Sequence, residues 1–225
     1  MSMPIILPKL SGSALKVIAI LSMVIDHCAC FLMNESTMAY EVMRCVGRIA
    51  FPVFAFLIAE GFAHTRNRNR YFGLLLGFAI VSEIPWYLLN GADGTHNVMF
   101  TLALGVVALA SFEILKKDGT LCICTILLIA WFATWSGVDY EWRGVLMIVI
   151  FYLFDKNTSL SGRMTQLLCA FPLMMHYGII GAMHACIVIF FYDGTRGFIR
   201  GSMAKYGVYA FYPMHLLVIY AYQLL

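Results

Sequence analysis

The 225-residue chain is 62% hydrophobic and only 12% charged, with a mean hydropathy of +0.84. Soluble surfaces need about a quarter charged residues, so a water-soluble domain is excluded. The net charge of +3 is too small to imply nucleic acid, and the basic residues fall in separated clusters rather than one stripe.

Apolar runs recur along the whole sequence with short polar breaks, which predicts one all-α integral membrane domain over residues 1–225. The first run, 12–33, follows Lys9, has no small-residue cleavage site and passes straight into charged residues, so it is expected to stay as the first span. Further runs follow at 43–63, 71–90, 97–115, 120–135, 143–154, 164–176, 178–192 and 205–224. This predicts a polytopic transmembrane helix bundle of about nine spans, with a range of eight to ten. The sixth, seventh and eighth runs are shorter than the ~20 residues that cross a ~30 Å hydrocarbon core. No fixed-period repeat is visible, and the loop with most room runs from Asp193 to Lys205.

Cytoplasmic loops carry the excess of lysine and arginine, and here that excess alternates. Lys9 precedes the first span; Arg66, Arg68 and Arg70 follow the second; Lys116 and Lys117 the fourth; Lys156 and Arg163 the sixth; Arg196, Arg200 and Lys205 the eighth. The remaining loops carry mainly acids, including Glu35, Glu41, Asp93, Asp139 and Glu141. The expectation is a cytoplasmic N-terminus and an external C-terminus. Trp86, Trp131, Trp135 and Trp142 then all fall near the external interface, where amphipathic rings favour the headgroup level.

The seven cysteines form neither CxxC pairs nor a secreted disulfide pattern and read as small apolar core residues. Pro52, Pro85 and Pro213 lie inside proposed spans and free the carbonyls of Arg48, Val81 and Tyr209. Each is either a kink between packed helices or a stretch of open backbone lining a cavity.

Lys16, Asp26, His27, Arg48, Glu60, Glu83, His184 and His215 all fall within proposed spans. A charge at mid-membrane costs about 3 kcal/mol on insertion scales, so these groups are expected to face one another or a hydrated interior. Lys16 and His27 are eleven residues apart, which returns to within about 20° of one helix face while separating them by ~16 Å. In the derived orientation Lys16 is near the cytoplasmic mouth and His27 in the outer half, an arrangement suited to a ligand threaded along a cavity. A neutral imidazole in such a cavity can take a proton from an attacking amine or hydroxyl, which makes His27 the candidate base.

Asp26 points about 100° from His27 and has two open readings, catalytic group or structural partner of Arg44 or Arg48. Arg44 and Arg48, one turn apart at the start of the second span, suit an anionic substrate or a developing oxyanion. Glu60 and His64 share a face at the other end, followed by the run Arg66, Arg68, Arg70, which is either a positive-inside anchor or a phosphate site for a nucleotide-containing donor. Glu83 belongs to the external half. No HExxH, GxSxG or P-loop pattern occurs, and no catalytic metal is expected.

The blocks LKVIAILSMVIDHCACFL, RCVGRIAFPVFAFLIAEGFAHTRNRNRY, SEIPW, NVMFTLALG and YGVYAFYPMHLLVIY, in this order, resemble the TraX-like membrane proteins over roughly residues 11–222. The resemblance implies an inner-membrane enzyme of the pilin N-acetyltransferase kind, which moves an acetyl group from acetyl-CoA to the amino terminus of a pilin subunit. The chain is also similar to acyltransferase-three-type transmembrane acyltransferases, whose first helix carries a basic residue, ten intervening residues and a histidine, as Lys16 and His27 do. By resemblance His27 is the catalytic base, Lys16 a contact in the donor tunnel, and Arg44 and Arg48 lie near the reaction centre.

The candidate catalytic group is therefore His27, Asp26, Arg44, Arg48 and Glu83. The candidate donor-binding group is Lys16, Glu60, His64, Arg66, Arg68 and Arg70, with Arg196 or Arg200 able to join it. The expected partners are acyl-CoA, membrane lipid and an acceptor that is a pilin or a surface glycan. A second class, a small transporter using the buried charges as a proton relay, predicts repeated halves that the sequence lacks.

Overall fold

A computed structural model describes residues 9–154 and 160–225. Among the described residues there are ten helices and, apart from two single bridges, no β-structure. They are α1 Gly12–Leu32, α2 Met38–Gly47, α3 Ala50–His64, α4 Arg68–Asn90, α5 Val98–Leu115, α6 Gly119–Trp135, α7 Glu141–Leu153, α8 Leu160–Met175, α9 Ile179–Phe190 and α10 Ser202–Gln223. Local chemistry sets many of their starts. Ser11, Thr37, Asn67, Asn97 and Asp118 each turn a side-chain oxygen onto a free amide of the first turn of the helix they precede.

The second predicted run begins five residues earlier than the apolar pattern indicated, because Thr37 caps it and the exposed face of α2 carries Met38 and Val42. Arg44 and Arg48 consequently lie inside the run, at a break, rather than at its outer end. Arg48 and Ile49 keep right-handed helical backbone between α2 and α3, so Met38–His64 is one 27-residue path with a kink. Pro52 explains the kink. It occupies the third position of α3, lacks an amide, and leaves the Arg48 carbonyl without the bond that a continuous helix would give it. Pro172 lies inside α8, in addition to Pro85 in α4 and Pro213 in α10.

Among the described residues four helical stretches are long and apolar enough to cross a membrane: Gly12–Leu32, Met38–His64, Arg68–Asn90 and Val98–Leu115. Their outward faces, and those of the other helices, carry exposed apolar side chains such as Leu21, Ile80, Leu128, Leu168 and Val218. A continuous coat of this kind suits lipid and not water. Three of the seven cysteines, Cys30, Cys124 and Cys169, are exposed and only Cys122 is buried, so they are not a set of core residues. In lipid the outside of a helix is as apolar as its packed face, and hydropathy alone does not separate the two.

Inside the bundle small residues let helices approach. Ala19, Ala55, Ala79, Ala108, Ala133 and Ala185 are fully buried, and Gly105 sits hard against Ile148 of α7. Larger rings fill what remains, with Phe56 edge-on to Phe151 at 5.5 Å and Phe62 edge-on to Tyr152 at 5.4 Å.

The basic loops gather at one end. Leu10 N–H donates to the Phe191 carbonyl (2.8 Å) and Gly12 N–H to Thr195 (2.7 Å), while Arg68 and Lys116 both reach Glu113 (3.7 and 3.0 Å). Lys156 lies outside the described residues. The opposite end is tied by His96 N–H to the Gly137 carbonyl (2.9 Å), Tyr177 to Tyr140 (3.2 Å) and Gln223 to Phe31 (2.8 Å). All four tryptophans lie in helix turns at this second end.

Candidate active site

A cavity of about 570 Å³ runs between α1, α3 and α10, and both ends of the bundle contribute to its wall. Helix α1 gives it a stripe, Gly12, Lys16, Ile20, Met23, His27 and Phe31, at spacings of three and four that repeat one helical face, widened at the far end by Asp26 and Cys30. Lys16 and His27 thus open onto the same space at different depths, about 16 Å apart along the helix.

At the basic end the wall holds Lys16, Arg196 and Lys205, together with Glu60, His64 and Thr65. The loop after α9 delivers Arg196 there. Ser13 donates from its hydroxyl to the Arg196 carbonyl (2.8 Å) and accepts from the Ile199 amide (2.7 Å), which straps the loop to the first turn of α1. Gly197 makes this possible. Its φ of 81° is one that only glycine adopts easily, and a β-carbon there would collide with Ser11 and Ser13. Glu60 accepts from the Tyr192 hydroxyl (3.2 Å) and lies 3.5 Å from His64. A small polar cavity adjoins, sharing Thr65, Tyr71 and Lys205 and adding Arg70, whose guanidinium donates to the Tyr206 hydroxyl (3.4 Å).

The far end holds Asp26, His27, Arg44, Arg48 and Asp139. Asp26 and Arg44 form an ion pair at 2.7 Å. The pair is close because Gly47 presents no side chain: a β-carbon there would overlap the Asp26 carboxylate. Arg48 has no ion pair within 4.0 Å among the described residues, although Asp26 and Asp139 both lie close enough to feel its charge. It is a cation held at the cavity by the kink between α2 and α3, and Gly181 of α9 lies against it.

His27 does not face the cavity by itself. Its Nδ1 is 2.7 Å from Nε2 of His215, the two rings are parallel to within 3°, and His215 is almost fully buried behind it. His215 Nδ1 is 3.1 Å from the Phe211 carbonyl. Tyr212, one turn earlier on α10, also lines the cavity, with its ring 6.2 Å from that of His27.

Asp139 reaches the site from the loop between α6 and α7. Its backbone is fixed by Asp139 N–H to the His96 carbonyl (2.9 Å), by the Thr101 hydroxyl on its own carbonyl, and by its carboxylate accepting from the Tyr140 amide (2.9 Å). Burial raises the Asp139 carboxyl to about 6, against the Tyr140 hydrogen bond and the Arg48 charge, which both act to lower it. The next two residues, Tyr140 and Glu141, are the non-glycine residues of the described chain with positive φ, 63° and 47°. Tyr140 is held there by stacking on Phe51.

Of the residues singled out from the sequence, Lys16, Asp26, His27, Arg44, Arg48, Glu60 and His64 line the cavity; Glu83, Arg66, Arg68 and Arg70 do not. Glu83 is drawn to the start of α5, where its oxygens meet His96 (2.5 Å) and the Asn97 side chain (2.6 Å), next to free amides that favour a negative charge. Arg68 lies over the Phe62 ring at 4.4 Å and beside Glu113, and Arg66 is exposed. Arg70 lines the adjoining cavity. His215, Asp139, Tyr212 and Lys205 join the site without having been selected. In the sequence His215 reads only as an intramembrane polar group and Lys205 as a basic-loop residue. Asp139 reads in sequence as a solvated turn. Among the described residues no three of His, Cys, Asp and Glu converge as a metal site would require.

Comparison with known proteins gives three findings. A family profile described as TraX protein matches residues 11–223. A probable fimbrial assembly protein (serogroup H1) of Dichelobacter nodosus is 28% identical over 235 residues, covering 92% of this chain and 93% of that protein. An uncharacterized protein of Rickettsia prowazekii (strain Madrid E) is 28% identical over 142 residues, covering 62% of this chain and 52% of its own. No solved structure matches.

Proposed function

This chain belongs to the TraX protein family, and on that premise we propose that it is a membrane acyltransferase that moves an acetyl group from acetyl-CoA to an amine or hydroxyl at the opposite face of the bilayer. The observation that carries this reading is the single cavity joining three cations at one end, Lys16, Arg196 and Lys205, to His27 at the other.

The chemistry of the donor matches that layout. A coenzyme A thioester is a phosphate-rich nucleotide joined by a long neutral arm to a reactive carbonyl. Phosphates are held by lysine and arginine, with Arg70 and the adjoining polar cavity beside them. The arm lies along the apolar middle, past Ile20, Met23 and Phe54. The thioester then reaches His27. An acceptor nitrogen or oxygen attacks the carbonyl carbon, His27 takes the acceptor's proton, and the Arg48 guanidinium faces the developing oxyanion. The intermediate collapses by breaking the carbon–sulfur bond, and the proton passes to the departing sulfur, leaving acetylated acceptor and coenzyme A. Asp26 keeps Arg44 in place and takes no proton in this scheme.

The basic end is the cytoplasmic one by the positive-inside rule, which gives about nine passes, a cytoplasmic N-terminus and a site in the outer half of an inner membrane. The name of the Dichelobacter relative ties that protein to fimbrial assembly and favours a pilin amine over a surface glycan as acceptor.

The test is transfer of radiolabel from acetyl-CoA by the protein in nanodiscs. Native protein is expected to label a peptide amine, and His27→Ala to lose about 100-fold or more of the rate. A His27→Ala rate equal to native would remove His27 as the base.

A further inference from the structure

The His27–His215 contact has a direction that its geometry fixes. A carbonyl oxygen can only accept a hydrogen bond, so the 3.1 Å contact between His215 Nδ1 and the Phe211 carbonyl puts a proton on that nitrogen. A neutral His215 then has a bare Nε2, which can only accept. Its partner 2.7 Å away, Nδ1 of His27, must donate. His27 is left with a lone pair on Nε2, which has no hydrogen-bond partner among the described residues. Of the two rings it is His27 that lines the cavity.

We propose that His215 is the positioning residue for His27: the chain Phe211 carbonyl, His215, His27 holds His27 in the tautomer whose free Nε2 faces the substrate. The catalytic consequence rests on the acyltransferase reading above, while the tautomer assignment does not. An isolated neutral imidazole moves between two tautomers and several ring angles, and only one combination offers a base to the acceptor. Here the ring angle is set as well as the proton. His27 lies parallel to His215 within 3°, His215 is stacked on Phe211 within 9°, and Phe31 and Tyr212 close the sides. In hydrolases a buried carboxylate does this for a catalytic histidine. A neutral imidazole does the same without placing a net charge in the membrane, beside Arg44.

Helix α10 supplies the anchor. Pro213 and His215 are two residues apart in YPMH, and His215 is 7% exposed, so its ring cannot turn outward without emptying a packed site. The bond spans 188 residues of sequence.

The test uses full-length protein with ¹⁵N-labelled histidine in detergent micelles. His27→Ala and His215→Phe assign the two spin systems among the six histidines. Nitrogen shifts then report which ring nitrogen carries hydrogen. Native protein is expected to show His27 protonated on Nδ1 and bare on Nε2, and His215 the same. In His215→Phe, His27 should shift towards the Nε2-protonated form. Acetyl transfer should fall about 100-fold in kcat, with KM for acetyl-CoA within about twofold. His215→Gln, whose amide oxygen can accept from Nδ1, should recover to within about tenfold of native, as a merely space-filling role would not.

A bare Nδ1 on native His27, a doubly protonated His215, or a Gln variant as slow as the Phe variant when both are folded would each overturn the proposal. Absent turnover in native protein would count against the acetyltransferase reading alone, because the nitrogen shifts need no turnover.

Discussion

Asp139 sits at the least comfortable turn of the chain, where Tyr140 and Glu141 adopt positive φ at a cost of order 1–3 kcal/mol each. Its own carboxyl adds to that cost when ionised. Burial raises it from 3.8 to about 6, so the folded state prefers the protonated acid more than the unfolded chain does. The stabilising contribution is therefore complete below about pH 4 and is lost as pH rises through about 6. Asp139→Asn, which mimics the protonated form and can still accept from Tyr140, is expected to match native stability at pH 4 and exceed it at pH 7 by up to about 3 kcal/mol. Thermal midpoints in detergent at the two pH values measure this, and an equal loss at both would contradict it.

The residues that were legible in the sequence share a cause. Lys16 and His27 lie on one helix, where a spacing of eleven determines the face they share. Asp26 reads in sequence as a candidate partner of Arg44 or Arg48, and the ion pair falls on Arg44; His27 with His215 is a contact between helices far apart in the chain, for which a sequence states neither the partner nor the angle of approach. The acidic turn at Asp139 was hidden for the opposite reason: its composition is that of a solvated loop, and packing against Phe51 and Thr101 buries it.

The apolar runs starting at 71, 97 and 120 come within three residues of the starts of α4, α5 and α6, and local capping fixes where those helices begin. Asn67, Asn97 and Asp118 mark the starts of α4, α5 and α6 with bonds of 2.8 to 3.1 Å to amides two or three residues on. The kink between α2 and α3 was half readable. Pro52 announced a free carbonyl at Arg48, but not that the kink would present the Arg48 side chain to a cavity. Pro52→Ala restores the missing donor and lets the helix run straight. It is expected to leave the protein folded and to lower transfer by about 10- to 100-fold, since a displacement of about 1 Å at a reacting centre has effects of that size. Comparing kcat with thermal stability checks it, and unchanged kcat would show that the kink does not position Arg48. The strap from the 193–199 loop to Gly12 and Ser13 had no sequence signal beyond a roomy basic loop, yet it brings Arg196 to the cavity mouth.

For the whole molecule, charge and aromatic placement give the bundle two unlike ends. Lys9, Arg68, Arg70, Lys116 and Arg196 collect at one, while the exposed Trp131 and Trp135 stack at the other. The alternation of basic loops was visible in the sequence because topology is written in loops, which do not need to pack. The cavity between the ends was not, since its walls come from α1 to α5, α10 and loops far apart in the chain.

The proposed acyltransferase reading, in which a cavity has a basic mouth at one end and a histidine pair at the other, predicts that donor and acceptor are used from opposite sides. Proteoliposomes sorted for the orientation with the basic end outward, given labelled acetyl-CoA outside and a membrane-impermeant peptide amine sealed inside, test this directly. The expected result is labelled peptide inside the vesicles with native protein and essentially none with His27→Ala. Labelling only when peptide and acetyl-CoA share the same side would contradict the account.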